Sequence, residues 1–184
     1  MAAPQTRPLK TRPPKARLLR LAATVNLSAV AATLLALWLL HPLFAPPPGI
    51  ADPGARMAFW GRLALWPALV LCLTVGGVMV ARARSVALNP IDDPESRLYR
   101  IAQRVLANTV EQTLIFLPAL AALVAQMPLP DLGFARLAVA LFVLGRLLFW
   151  AGYLIHPYVR APGMAITLTV NLVVLGWAAL LAVA

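Results

Sequence analysis

Residues 98–125 read LYRIAQRVLANTVEQTLIFLPALAALVA, and the polar residues inside this run decide how the chain is to be read. Most of the stretch is apolar enough to cross a bilayer, yet Arg104, Asn108 and Glu111 interrupt it at i, i+4 and i+7. A helix turns by about 100° per residue, so the three side chains share one face. A charge at membrane depth costs roughly 2.5–3.5 kcal/mol on insertion scales, so such groups pair or line a cavity. The stripe predicts a polar site inside a bundle of membrane helices.

The composition agrees. Of the 184 residues, 61% are hydrophobic and only 12% are charged. A soluble domain of this length would need more polar surface, so the chain reads as an all-α integral membrane protein, and its length suits one bundle rather than two domains. The net charge of +10 is unevenly spread, with six of the 16 basic residues (Arg7, Lys10, Arg12, Lys15, Arg17 and Arg20) in the first twenty positions. A basic tail can bind nucleic acid. Here an apolar run follows at once, which favours a cytoplasmic flank under the positive-inside rule and argues against nucleic acid as a partner. The single cysteine, Cys72, lies within an apolar run; it can form no intrachain disulfide and is expected to be a small buried hydrophobe. The N-terminal basic region is too long and proline-rich, and the run after it too long, for a cleaved signal peptide.

Residues 1–17 form a basic, proline-rich tail, expected to be disordered. The first apolar segment, 18–44, is ended by Pro46-Pro47-Pro48-Gly49 and Asp52-Pro53-Gly54, read as a loop. A second runs over about 57–81, with Pro67 inside it, and Arg82 and Arg84 close it. Proline is tolerable there because neighbouring groups satisfy the freed carbonyl. In the polar loop 85–96, Asp93 is the expected N-cap and Pro94 the first helical residue of a third segment reaching Gln126. A tight connection at 127–131 leads to a fourth segment over 132–155, ended by His156-Pro157, and a fifth covers 162–183. At about 1.5 Å per residue each can cross a ~30 Å core. Five spans put the termini on opposite sides. The tail, the Arg82/Arg84 loop and the Arg160 turn share one side, whereas the loops at 45–56 and 127–133 hold only Arg56. The first side is expected to be cytoplasmic, in a bacterial inner membrane, with the C-terminus opposite.

Arg100 lies one turn before Arg104 on the same face. Two readings of this face stay open. In one it is a groove for an anionic, amide-rich ligand, with arginines gripping carboxylates and Asn108 and Glu111 reading amide and ammonium groups. In the other the arginines snorkel to lipid phosphates while Asn108 and Glu111 make structural bonds between helices. Arg146 sits near the middle of the fourth span, and Tyr153 follows seven residues later on the same face. Glu111 is the only carboxylate within a span, so an Arg146–Glu111 pair is the simplest way to compensate Arg146. Such a pair could be purely structural, and breaking it on one side should destabilise the bundle. Arg160 is either an ordinary positive end of a span or a cation that lowers the pKa of a bound thiol. His41 and His156 each precede a proline at a span end and read as interfacial. No metal motif, Ser-His-Asp arrangement or phosphate-binding glycine loop is evident.

The run from Arg104 through Asn108, Glu111 and Phe116 to Pro118 resembles the second-helix signature of the MAPEG family, the membrane-associated proteins in eicosanoid and glutathione metabolism. Arg146 to Tyr153, followed by Arg160-Ala-Pro-Gly163, resembles the family's third helix and the turn after it. The resemblance covers residues 57–184 as a four-helix membrane domain, with 18–44 as an extra N-terminal span. It implies a homotrimer with glutathione as co-substrate, bound between subunits near the cytoplasmic face by Arg84, Arg104, Asn108, Glu111, Arg146 and Tyr153. It implies that Arg160 stabilises the thiolate. The second substrate would be a lipophilic electrophile or hydroperoxide arriving from the membrane lipid, and the activity a glutathione transferase or peroxidase. Phe149 and Gln112 stand where some members place tyrosines, and the first span has no counterpart in the family core. A non-catalytic bundle serving assembly or anionic-lipid binding is the alternative, and a small transporter built on the Arg146–Glu111 pair a further one.

Overall fold

The computed structural model describes residues 15–85, 94–156 and 158–184. Its long helices are α1 (Lys15–Leu40), α2 (Pro53–Ala83), α3 (Arg97–Gln126), α4 (Gly133–Ile155) and α5 (Ala161–Val183). All five are long and apolar enough to cross a membrane. The 31 residues of α2 and the 30 of α3 would each extend about 45 Å, so both overrun a ~30 Å hydrocarbon core.

Two helix starts differ from expectation. The Asp52-Pro53-Gly54 stretch, read as loop, begins α2: the Asp52 carboxylate accepts the Ala55 N–H at 2.9 Å and Pro53 sits in the first turn. The expected cap of α3, Asp93, lies outside the described residues, and Pro94 stays outside the helix. Ser96 caps it instead, accepting the Tyr99 N–H at 3.1 Å. Serine caps as well as aspartate does, and the first helical residue becomes Arg97 in place of Pro94.

Contacts between helix ends fix an up-and-down course. Arg56 Nη1 donates to the carbonyls of Val124, Ala125 and Met127 at 2.8, 3.1 and 2.8 Å. It thereby satisfies carbonyls that the end of α3 leaves without N–H partners. Arg136, in the first turn of α4, donates to Ala45 O at 3.3 Å, so α4 starts where α1 ends. This end of the bundle therefore holds Arg136 as well as Arg56, and the loop-based reading overlooked it because Arg136 lies just inside a helix. The other end carries Arg82, Arg84, Arg97, Arg100 and Arg160.

The core lies mainly between α3, α4 and α5. Phe116 and Phe142 stack at 4.2 Å, and Leu120, Leu123, Leu132, Val170 and Val174 are wholly buried around them. Buried hydroxyls inside the spans bond back along their own helices, as Thr109 does to Val105 O at 2.7 Å and Thr167 to Gly163 O at 2.6 Å, with Thr113 the exception among the described residues. α1 lies against α5 and touches α4, burying little of itself beyond Thr33 and Leu37. Cys72 is exposed on the outer face of α2, not in the core: in a membrane span the apolar residues that face lipid look in sequence like those that face the interior.

Candidate functional site

Two close helix contacts place the site. A Cβ on Gly163 would lie 2.3 Å from Phe149 N, so α5 meets the backbone of α4 directly. A Cβ on Gly152 would lie 2.7 Å from the Cα and N of Arg160, so the turn after α4 folds back onto its last turns. These contacts bring Arg160 over Tyr153 and hold the Arg146 face of α4 toward α3.

Arg146 is 1% exposed. Its Nη1 donates to Asn108 Oδ1 at 2.8 Å and to Asn108 O at 3.3 Å. Asn108 Nδ2 donates in turn to Glu111 Oε2 at 3.2 Å. Arg146 can only donate and the Glu111 carboxylate only accept, so the amide orientation follows from its two neighbours. The direct Arg146–Glu111 pair expected from the sequence does not form: Asn108 stands between the two charges and relays one to the other. Burial keeps Arg146 inside the bundle, whereas Glu111 lies on an exposed face of α3.

The set continues along α4. The Arg146 guanidinium lies 4.3 Å from the centre of the Phe149 ring. Phe149 meets Tyr153 edge-on at 5.2 Å. The Arg160 guanidinium lies 4.6 Å from the centre of the Tyr153 ring, and its Nη1 donates to the Tyr153 hydroxyl. Cation–π contact of this kind is favourable, more so when desolvated. Phe149, read from the sequence as a lost polar contact, carries a guanidinium on its face instead. Val105, Phe149 and Tyr153 form a buried cluster flanked by Ile101, Trp150 and Met164.

Of the expected site residues, Asn108, Glu111, Arg146, Tyr153 and Arg160 thus form one continuous ladder of contacts. Arg104 shares the α3 face one turn before Asn108 but is exposed and bonds to none of them. Arg84, at the end of α2, is exposed and likewise stands apart. Sequence reading missed the partner of Gln112. Asn171 of α5, 1% exposed, donates to Gln112 Oε1 at 2.8 Å and to Gln112 O at 3.2 Å. The available signal was a lone asparagine in an otherwise apolar span. The bond turns Gln112 inward, so the α3 residue after Glu111 belongs to the core.

Chemically, the ladder offers an amide and a carboxylate on an accessible helix face. At the bundle end it offers a guanidinium beside a phenol whose oxygen already accepts a hydrogen bond, leaving the phenolic proton free to be donated. Such a set suits a zwitterionic, carboxylate-bearing ligand. No curated protein and no solved structure matches the chain. The MAPEG family model matches residues 57–180, from the first turns of α2 nearly to the end of α5 and including every rung of the ladder. With α1 as an apolar helix preceding the matched region, the chain belongs to the MAPEG family.

Proposed function

We propose that the protein is a membrane-bound, glutathione-dependent transferase or peroxidase acting on lipophilic electrophiles or hydroperoxides. The observation that carries this reading is the unbroken ladder from Glu111 through Asn108, Arg146, Phe149 and Tyr153 to Arg160, within a chain whose family implies glutathione chemistry. Arg104, Asn108 and Glu111 bind the tripeptide on the exposed face of α3. Arg146 holds Asn108 from behind, Tyr153 completes the site on α4, and Arg84 approaches a carboxylate from a neighbouring protomer in a homotrimer. Arg160 favours the ionised thiol by its positive charge. The thiolate sulfur then forms a bond to the electrophilic carbon as the leaving group departs, or to a hydroperoxide oxygen as the O–O bond breaks.

The reading carries an orientation. The end with Arg82, Arg84, Arg97, Arg100 and Arg160 is cytoplasmic, and this balance of charge outweighs Arg56, Arg62 and Arg136 at the other end. Calorimetric titration of the detergent-solubilised protein with reduced glutathione tests the site. Saturable binding that Glu111→Gln and Arg104→Ala both weaken supports it, and no binding by a folded protein rejects it.

A second reading has its own support. Arg146 Nη1 is already bonded to Asn108 within the bundle, although its Nε and Nη2 have no hydrogen-bond partner among the described residues. On that reading the bundle serves assembly or anionic-lipid binding without catalysis. Absence of glutathione binding by a folded, assembled protein would favour it.

A further inference from the structure

On the outer surface of the bundle, away from the ladder, α2 and α4 enclose a groove of about 610 Å³. Leu63 and Trp66 form one wall, Ala140, Val143 and Leu147 the other, and Arg136 stands at one end. From Arg136 to Leu147 the groove follows α4 for about 16 Å, at ~1.5 Å per residue. That is about half of a ~30 Å hydrocarbon core, or the depth of one leaflet. Its mouth lies at the Arg56 end of the bundle, since Arg136 donates to Ala45 O at 3.3 Å.

The mouth is positively charged. The Arg136 guanidinium lies 5.6 Å from the centre of the Phe59 ring. Arg62, one turn before Trp66 on α2, is exposed and makes no hydrogen bond or ion pair among the described residues. The nearby acids leave both arginines uncompensated: Asp52 is engaged in capping α2, and Asp131 pairs with neither among the described residues. An apolar slot one leaflet deep, with two guanidinium groups beside its mouth that pair with no carboxylate among the described residues, has the charge pattern of a lipid turned inside out.

We propose that this groove is a binding site for a single anionic phospholipid of the leaflet at the Arg56 end. One acyl chain lies between Trp66 and Ala140, and the phosphate is held by Arg62 and Arg136. Guanidinium forks match phosphate oxygens, and near a membrane surface each basic residue adds to a preference for anionic lipid, roughly thirtyfold in total for two.

Trp66 reports on the chain directly. The full-length protein is placed in phosphatidylcholine vesicles containing a small fraction of either phosphatidylglycerol or phosphatidylcholine with brominated acyl chains. The Trp66 contribution to fluorescence is taken as the difference from a Trp66→Phe variant. The proposal predicts that brominated phosphatidylglycerol quenches Trp66 at a mole fraction roughly thirtyfold lower than brominated phosphatidylcholine does. The double variant Arg62→Gln/Arg136→Gln should abolish the difference. Ala140→Phe, which fills the slot and leaves both arginines, should weaken quenching by either probe. Equal quenching by the two lipids, or a preference that survives loss of both arginines, would overturn the proposal. So would a Trp66 that neither probe reaches, which would mean that a second copy of the chain covers the groove.

Discussion

Arg146 is a guanidinium with 1% exposure in the middle of a membrane span, bonded to an amide instead of a carboxylate. Asn108 lets one buried charge and one exposed charge share a bonded path without bringing Glu111 into the interior. The arrangement makes the two ends of the Arg146–Asn108 bond unequal. Asn108→Leu strands a buried cation with only a long backbone contact and should destabilise the protein by about 3–5 kcal/mol. Arg146→Met removes the charge itself, strands only the amide oxygen, and should cost about 1–3 kcal/mol. The double variant should cost clearly less than the two singles added. Denaturant titration of the four proteins checks the order, and equal single effects that simply add would refute the relay. The spacing of Arg104, Asn108 and Glu111 was legible in the sequence because it depends on one helix alone. Which of them Arg146 meets was not, because that depends on the rotation of α4 against α3.

That rotation is set between elements. Gly163 admits the backbone of α4 to that of α5, and Gly152 admits the returning turn. Gly163→Val should force the helices apart and destabilise by at least about 2 kcal/mol, as overpacking does, with loss of glutathione binding by calorimetry. Gly152→Ala should act more locally. It should lift Arg160 off Tyr153, reduce turnover and lower the unfolding midpoint, since the added Cβ meets backbone atoms at 2.7 Å, and an unaltered rate would contradict the placement of that turn. The helices themselves were readable from apolar length and from Pro and Gly signals. Their starts were less so, because Asp52-Pro53 signals a turn as readily as a cap. Cys72 and Asn171 show the same limit: outer and inner faces of a span are both apolar, so hydropathy alone cannot assign a residue to lipid or core.

Across the whole molecule, α1 stands outside the family-matched region and buries little of its own surface. A protein lacking residues before Ala45 should therefore still insert, fold and bind glutathione, and loss of folding would show that α1 is integral to the core. Five spans also predict that a reporter fused to the C-terminus is active only on the non-cytoplasmic side. The family was legible in two motifs because their residues lie on single helices. The ladder required two helices, α3 and α4, and the turn before α5. The account stands most directly on whether Arg160 turns this end of the bundle into a thiolate site. The decisive measurement is the ultraviolet difference spectrum of the purified protein on adding reduced glutathione at neutral pH, for the wild type and for Arg160→Ala. The account predicts a saturable thiolate band in the wild type, with turnover lowered about 10²-fold or more in Arg160→Ala and the band lost while the protein stays folded. A thiolate band of equal size in both proteins would contradict it, as would glutathione bound entirely as the neutral thiol.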